Sequence, residues 1–381
     1  MLIKDFVGFR RQYLFLIIFG FIARIVVSIK GNNADFEAYR IVALAIQNGI
    51  TPWETYSYNY GIAWAVIIFI LDLLSFHSTL FFRILLILTL TIADLYISSV
   101  IAKQFNYKFG LLFFLNPISI MITGYYNQFD NLAIAVGLMA IINLSRFKRN
   151  SKHLLTIFLL TLSLMIKHDL LFFLPWIFFS KELSSIKFKI TTIPLTLYIL
   201  HFLPFMAMGS DVYRAIYSNV FMYWSANNAP FWQFWFRDKD LVKYLSDNAQ
   251  WHHGRIWMIL FFLSVTAVGI LNRKNSILNN FFLYSICFVL FSSAITTQFY
   301  AIGAIGAAAF FNLFFVFYFL FGALWILADP SGLGLESVQK LFIKINLHGW
   351  NSLPIFLLPG LIWMGITRIR LKIVKPNFRD K

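Results

Sequence analysis

Charged side chains are scarce in this sequence, because Asp, Glu, Lys and Arg together make up 13% of its 381 residues. A soluble globular protein has about 25% charged residues. Hydrophobic residues account for 60% of the chain and aromatic residues for 19%. So little charge cannot cover the surface of a soluble protein of this length, and the composition predicts a surface that faces lipid.

Cysteine is almost absent as well. The single cysteine, Cys287, lies in an apolar run, which excludes an intrachain disulfide and a cysteine-based zinc site. The sequence has no glycine-rich phosphate loop, no His-Glu-x-x-His motif and no recognisable Ser/His/Asp set. These absences argue against a P-loop nucleotide hydrolase, a zinc metalloprotease and a serine hydrolase.

Long apolar runs dominate the sequence instead. A helix needs about 20 apolar residues to cross a hydrocarbon core, and several runs reach or approach that length: 13–29, 80–101, 154–166, 190–208, 256–271, 277–295 and 308–327. Because the runs are continuous rather than alternating, they favour helices over a β-barrel. We predict an all-α, polytopic membrane protein, residues 1–381, with a single domain of roughly ten to twelve membrane helices.

Basic residues account for the formal net charge of +16, and they cluster between the apolar runs. In a soluble protein this charge would suggest nucleic acid, but clusters between spans are typical of cytoplasmic loops. We therefore expect the lipid bilayer as partner and no nucleic acid. The same pattern places residues 31–60 and 209–254 on the outer face, as segments with amphipathic helices, and favours a multi-pass protein of the bacterial inner membrane.

Two prolines predict breaks in apolar stretches. Pro117 is followed by polar residues, and Pro175 marks a short helix. Four apolar runs lie between Gly61, expected outside, and Arg146, expected in the cytoplasm. An odd number of crossings must connect these two faces. We therefore expect one run in this region to be short, re-entrant or broken, with Pro117 as the candidate break.

Ionisable residues near membrane spans indicate function by default. For Arg24, Asp72, Arg83 and Asp94, pairing with a neighbouring helix is the favoured interpretation. Two interpretations stay open for the segment from Gly124 to Asn131. Asn127 or Asp130 can serve as a helix N-cap, or Tyr126, Asn127, Gln128 and Asp130 can form a polar floor for a sugar.

Two further groups of residues suggest a sugar and a phosphate. Lys167 and His168 follow an apolar run and can face a lipid-linked phosphate or an ordinary headgroup; Arg40 and Arg255 are further candidates. The aromatic-rich segment 209–254 includes Trp224 and suits carbohydrate stacking or an interfacial belt. Its Asp238-Lys239-Asp240 sequence is a weak match to a metal-binding Asp-x-Asp pair.

Three stretches in order carry a resemblance to a known family. "ADFEAYR", starting at Ala34, is similar to the Asp-Tyr-Glu-Ala-x-Arg of the eukaryotic dolichyl-phosphate-glucose glucosyltransferases. "LNPISIMITGYYNQFDNL" resembles their Leu-Asn-Pro…His-Gly-His-Phe-Gln-Tyr-Asn stretch, with Gly124-Tyr125-Tyr126 in place of His-Gly-His. "MIKHDLLFFLP" resembles their Tyr-Lys-Gln…Leu-Pro segment. The family's later His-x-His-Glu-Lys has no counterpart, and 297–300 is nearest by position.

The resemblance, over residues 30 to 180, implies a GT-C-like fold and an inverting transfer of one sugar, glucose or mannose, from a polyprenyl-phosphate carrier to a glycan or glycolipid acceptor. It implies Asp35 as the catalytic base, with neither a metal nor another cofactor. The expected donor-phosphate ligands are Arg40, Lys167, His168 and Arg255. The expected sugar-binding residues are Tyr39, Tyr126, Asn127, Gln128, Asp130, Trp224 and Gln298.

Helical geometry separates the acidic residues of the first stretch. Glu37, two residues after Asp35, points about 200° away on a helix, whereas Tyr39 shares the Asp35 face. Two other functions stay open on the sequence. A flippase of lipid-linked sugars would show inverted repeats, and we find none. An envelope polymerase or ligase with a diphosphate-linked donor would suit paired arginines, but Arg214 and Arg237 lie far apart in 209–254.

Overall fold

The computed structural model of the chain is helical throughout the residues that it describes, with no β-strand among them. This confirms the predicted all-α class. The described residues are 13–55, 58–146, 153–183, 186–222, 231, 253–293, 295–328, 333–344 and 350–366.

The helices follow one another through short connections. The first half contains α1 (Leu14–Ser28), α2 (Ala34–Gln47), α3 (Ile62–Leu74), α4 (Thr79–Gln104), α5 (Tyr107–Leu115), α6 (Pro117–Gly124), α7 (Asp130–Arg146), α8 (His153–Ile166) and α9 (Leu174–Phe179). The second half contains α10 (Lys187–Leu200), α11 (Leu203–Met206), α12 (Ser210–Ile216), α13 (His253–Leu271), α14 (Ile277–Phe291), α15 (Phe299–Ala309), α16 (Leu313–Ala328), α17 (Glu336–Lys344) and α18 (Leu357–Ile366). Short 3₁₀ helices occur at Pro52–Glu54, His168–Phe173 and Trp350–Phe356, and a π-helical turn occurs at Tyr217–Phe221.

Two helical segments in the described part of the chain are long and apolar enough to cross a membrane. They are Thr79–Gln104, with 26 residues, and Lys187–Met206, with 20. The pair α5 and α6 passes the same test when taken together, although its two helices are bent by 48°. The other apolar helices have 10–17 residues. Length and composition are thus consistent with membrane association.

Both predicted proline breaks are confirmed. The bend between α5 and α6 falls at Asn116, whose side chain accepts a hydrogen bond from the backbone N–H of Ser119 at 3.0 Å, while Pro117 fills the first helical position. An Asn cap followed by Pro is a strong helix start. Pro175 lies in the first turn of the six-residue α9, directly after a 3₁₀ helix.

A fully buried ion pair joins the first helices. The Arg24 guanidinium donates to Asp94 Oδ2 at 2.9 Å and to Ser119 Oγ at 2.7 Å. Asp94 also accepts from Thr123 Oγ1 at 2.6 Å and from Asn131 Nδ2 at 2.7 Å. This network ties α1, α4, α6 and α7 together. The favoured interpretation of Arg24 and Asp94 as structural partners is confirmed.

Helices α2 and α3 lie side by side and run in the same direction. Tyr39 packs edge-on against Trp64 with ring centroids 5.2 Å apart, and Gln47 donates to Asp72 Oδ2 at 2.7 Å. The second pair lies eight residues beyond the first on both helices. The apolar run of α3 is therefore a companion of α2, although the sequence alone groups it with the other apolar runs.

We expect Arg24→Met to lower the thermal unfolding temperature of the purified protein strongly. Removal of one partner of a buried ion pair costs roughly 3–5 kcal/mol, because the other charge stays buried. Lys108→Met, at an exposed lysine, is the control and should change stability by about 0.5 kcal/mol or less. Equal unfolding temperatures for the two variants would contradict the structural role of the pair.

Candidate functional site

Asp35 lies in the first turn of α2 and is held through one of its two oxygens. The Asn33 side chain caps the helix by accepting from the backbone N–H of Phe36. Its amide donates to Asp35 Oδ2 at 2.8 Å, and the amide of Gln128 donates to the same oxygen. No described residue bonds Asp35 Oδ1. Two donors thus fix the carboxylate and leave one oxygen open.

Tyr39 follows one turn after Asp35, on the same face of α2. It is 3% exposed, and its hydroxyl has no hydrogen-bond partner among the described residues. Burial, followed by the negative charge of Asp35, raises the pKa of Tyr39, so the phenol stays neutral and able to donate. The charge of Asp130 acts in the same direction. Tyr39 therefore lies between the two carboxylates.

Lys167 forms a buried ion pair with Asp130. Its Nζ lies 2.5 Å from Asp130 Oδ1, and the two side chains are 5% and 0% exposed. Burial alone would lower the pKa of Lys167, but the charges of Asp130 and Asp169 outweigh it and raise the pKa. The side chain is therefore an ammonium group whose charge is already balanced.

Three aromatic rings surround this ammonium group. The centroids of Phe129, Phe299 and Tyr60 lie 5.2, 5.4 and 5.6 Å from Lys167 Nζ, within the range of cation–π attraction. Sequence reasoning did not single out these rings, because aromatic residues are abundant throughout the chain. The available signal was position: Phe129 lies between Gln128 and Asp130, and Phe299 follows Gln298.

The segment that follows α6 supplies Gln128 and Asp130. The Asn127 amide donates to the carbonyls of Thr123 and Gly124 at 3.0 and 3.1 Å, with Asn127 in the left-handed region at φ 53°. Asn127 thus caps the end of α6, and α7 begins at Asp130, whose side chain binds Lys167. The N-cap interpretation is wrong for both residues, because each has a partner elsewhere.

The contacts of Gln128 and Tyr126 complete this segment. Gln128 is 2% exposed, and its Oε1 has no described partner although its amide binds Asp35. Tyr126 is 4% exposed and packs edge-on against Tyr125 with centroids 5.2 Å apart. The structure therefore brings Gln128 and Asp130 to the site from one turn, and it buries Tyr126 beside them.

Other predicted residues have different surroundings. Arg40 donates to Thr79 Oγ1 and to the carbonyl of His77 at 3.3 Å, so its contacts connect α2 with the start of α4. The structure does not place these contacts with Lys167. The exposed Glu37 accepts from Asn32 at 2.9 Å, apart from the bonds of Asp35, as helical geometry predicts.

The remaining predicted residues lie at helix ends or outside the described residues. His168 is half-buried directly after Lys167, and Gln298 is half-buried before the first residue of α15. Arg255 lies in the first turn of α13, but its side chain is outside the described part of the chain. Trp224 and the Asp238–Asp240 pair also fall outside the described residues.

Comparison of the chain with protein-family models, with curated proteins and with solved structures gave no match. The functional argument therefore rests on the geometry and on the residue types. Among the described residues, no group of three or more His, Cys, Asp or Glu side chains is arranged to hold a metal ion.

We expect Lys167 to resist acylation by a water-soluble amine reagent at about pH 9, where ordinary lysines begin to react. A protonated amine is not nucleophilic, and the Asp130 charge keeps this one protonated. Peptide mass spectrometry should show exposed Lys30 labelled at least about tenfold faster. Asp130→Asn should increase labelling of Lys167, because burial then favours the neutral amine. Equal labelling of both lysines in the wild type would contradict the ion pair.

Proposed function

We propose that the chain is an inverting glycosyltransferase that moves one sugar from a polyprenyl-phosphate carrier to a glycan or glycolipid acceptor. The observation that carries the proposal is the state of Asp35. One carboxylate oxygen is held by Asn33 and Gln128, and the other is open. A buried phenol and a ring-enclosed ion pair lie next to it. A fixed carboxylate with one open oxygen is suited to act as a general base.

The chemistry needs one such base. Asp35 Oδ1 takes the proton of an acceptor hydroxyl, whose oxygen attacks the anomeric carbon as the bond to the carrier phosphate breaks. General-base catalysis of this kind contributes roughly 10²–10⁴-fold. The phosphate departs as an anion and needs no proton, unlike the leaving group in a hydrolase with two carboxylates. A single displacement inverts the anomeric carbon.

Amide, phenol and aromatic groups beside Asp35 suit a sugar. The unpartnered Gln128 Oε1 can accept from a sugar hydroxyl, and the Tyr39 hydroxyl can donate to one. The ring of Tyr60 offers an apolar face near the same place. Glucose and mannose, the sugars that the family resemblance implies, present hydroxyl groups to such a surface.

A membrane location is supported by the distribution of apolar residues on α1. Phe15, Ile22 and Val26 are 73, 51 and 54% exposed, whereas the buried residues are Gly20 and Arg24. A soluble helix would bury the apolar residues and expose the arginine. The inverted pattern on α1 is that of a helix with lipid on one side and a polar contact on the other.

The helix directions suggest a topology in which the basic clusters are cytoplasmic. In it α1 leads outward, α2 and α3 stay on the outer face, and α4 returns inward. The two long segments, the bent pair and nine of the ten shorter apolar helices then make twelve crossings, at the upper end of the predicted number. Helices shorter than about 20 residues need flanking residues or a thinner bilayer to complete a crossing.

We expect Asp35→Asn to leave the protein folded and to reduce sugar transfer by about 10²-fold or more. Asparagine keeps the shape of the side chain but cannot take the proton. The assay is transfer by purified protein from a panel of polyprenyl-phosphate sugars. Glu37→Gln is the matched control, since Glu37 is exposed and bonded to Asn32, and it should retain activity. Normal turnover by Asp35→Asn would refute the proposed base.

Transfer should persist in excess chelator, because cationic side chains can balance the charge on the departing phosphate. Activity of the purified enzyme is compared with and without chelator. Loss of activity that added Mn²⁺ or Mg²⁺ restores would contradict this expectation. In that case, substitution of Asp238 and Asp240 would test the alternative metal-binding pair.

A further inference from the structure

The cations expected to bind the donor phosphate are largely engaged elsewhere. Lys167 is paired with Asp130, and the Arg40 guanidinium is bonded to Thr79 and to the carbonyl of His77. A phosphate group needs a cation whose charge is not already balanced. Arg83, which the sequence analysis treated as structural, has this property.

Arg83 lies in the second turn of α4, and no carboxylate forms an ion pair with it in the described part of the chain. Its Nη2 donates to the carbonyl of Gly31, and its guanidinium carbon lies 5.4 Å from the Phe36 ring centroid. Its Nε and Nη1 donate to no described group. The nearest acid acting on it, Glu37, is exposed and bonded to Asn32. Arg83 thus offers several N–H donors and a net positive charge.

Tyr125 reaches the same corner from the end of α6. Its hydroxyl lies 3.7 Å from the position that a Cβ on Gly31 would take, and it interacts electrostatically with Arg83. It bonds to none of the described residues. Gly31 has φ 135°, a conformation that favours glycine. The missing side chain leaves room between the guanidinium and the phenol.

We propose that Arg83 and Tyr125 bind the phosphate group of the polyprenyl-phosphate donor at the Gly31 corner. This inference rests on the proposed function and names the donor-phosphate ligands of that site. A guanidinium matches phosphate oxygens with several N–H groups, and the phenol adds one O–H donor. Gly31 precedes Asp35 by four residues, so their Cα atoms are at most about 14 Å apart. The phosphate and the base then flank one reacting sugar.

The test is equilibrium binding of polyprenyl phosphate, with no sugar attached, to the purified full chain, with polyprenol as the comparison ligand. Arg83→Gln should weaken binding of polyprenyl phosphate roughly ten- to hundredfold, since it removes charged hydrogen bonds. Tyr125→Phe should weaken it about tenfold. Neither change should alter binding of polyprenol. Lys30→Gln, which removes an exposed charge one residue before Gly31, should stay within about twofold.

The outcomes separate the inference from the proposed function. Wild-type affinity for polyprenyl phosphate in Arg83→Gln would overturn the inference, provided that the unmodified chain prefers the phosphate over polyprenol. If the unmodified chain shows no such preference, the proposed function fails and the inference falls with it. Should Arg83→Gln not fold, Tyr125→Phe decides, because it removes a single hydroxyl, and unchanged binding there would overturn the proposal.

Discussion

The buried pair between Arg24 and Asp94 is the contact on which the positions of the other helices depend. Both side chains are fully buried, and burial of a charge is costly unless it is paired and hydrogen-bonded. The network meets this requirement with bonds from Ser119, Thr123 and Asn131. Because these donors lie on two helices with the site segment between them, the pair also fixes Gln128 and Asp130 in space.

The same rule of charge compensation shapes the candidate site. Lys167 tolerates burial because Asp130 is in contact and three rings offer their faces. Asp35 is treated differently, since neutral amides rather than a cation hold it. A cation in direct contact would stabilise the carboxylate and make it a poorer proton acceptor. The pairing of Lys167 with Asp130 therefore suits a base at Asp35.

The sequence predicted the features that depend on local chemistry. Runs of apolar residues gave the helices, Pro117 and Pro175 gave the breaks, and helical periodicity separated Glu37 from Asp35. It could not predict features that depend on long-range contacts. Asn127 caps the preceding helix because Gly124 packs against the Arg24 backbone, and α3 joins α2 through its side-chain partners. Neither contact has a signature in the local pattern.

The positions of the cations follow from a competition for partners. A carboxylate within reach neutralises a buried ammonium, as Asp130 does for Lys167. Arg83 escapes this because Glu37, the acid nearest to it, faces away and binds Asn32. The same turn of α2 therefore presents Asp35 to one side and leaves Arg83 uncompensated on the other. A transferase with an anionic leaving group requires this separation, because a base and a phosphate-binding cation would cancel each other in direct contact.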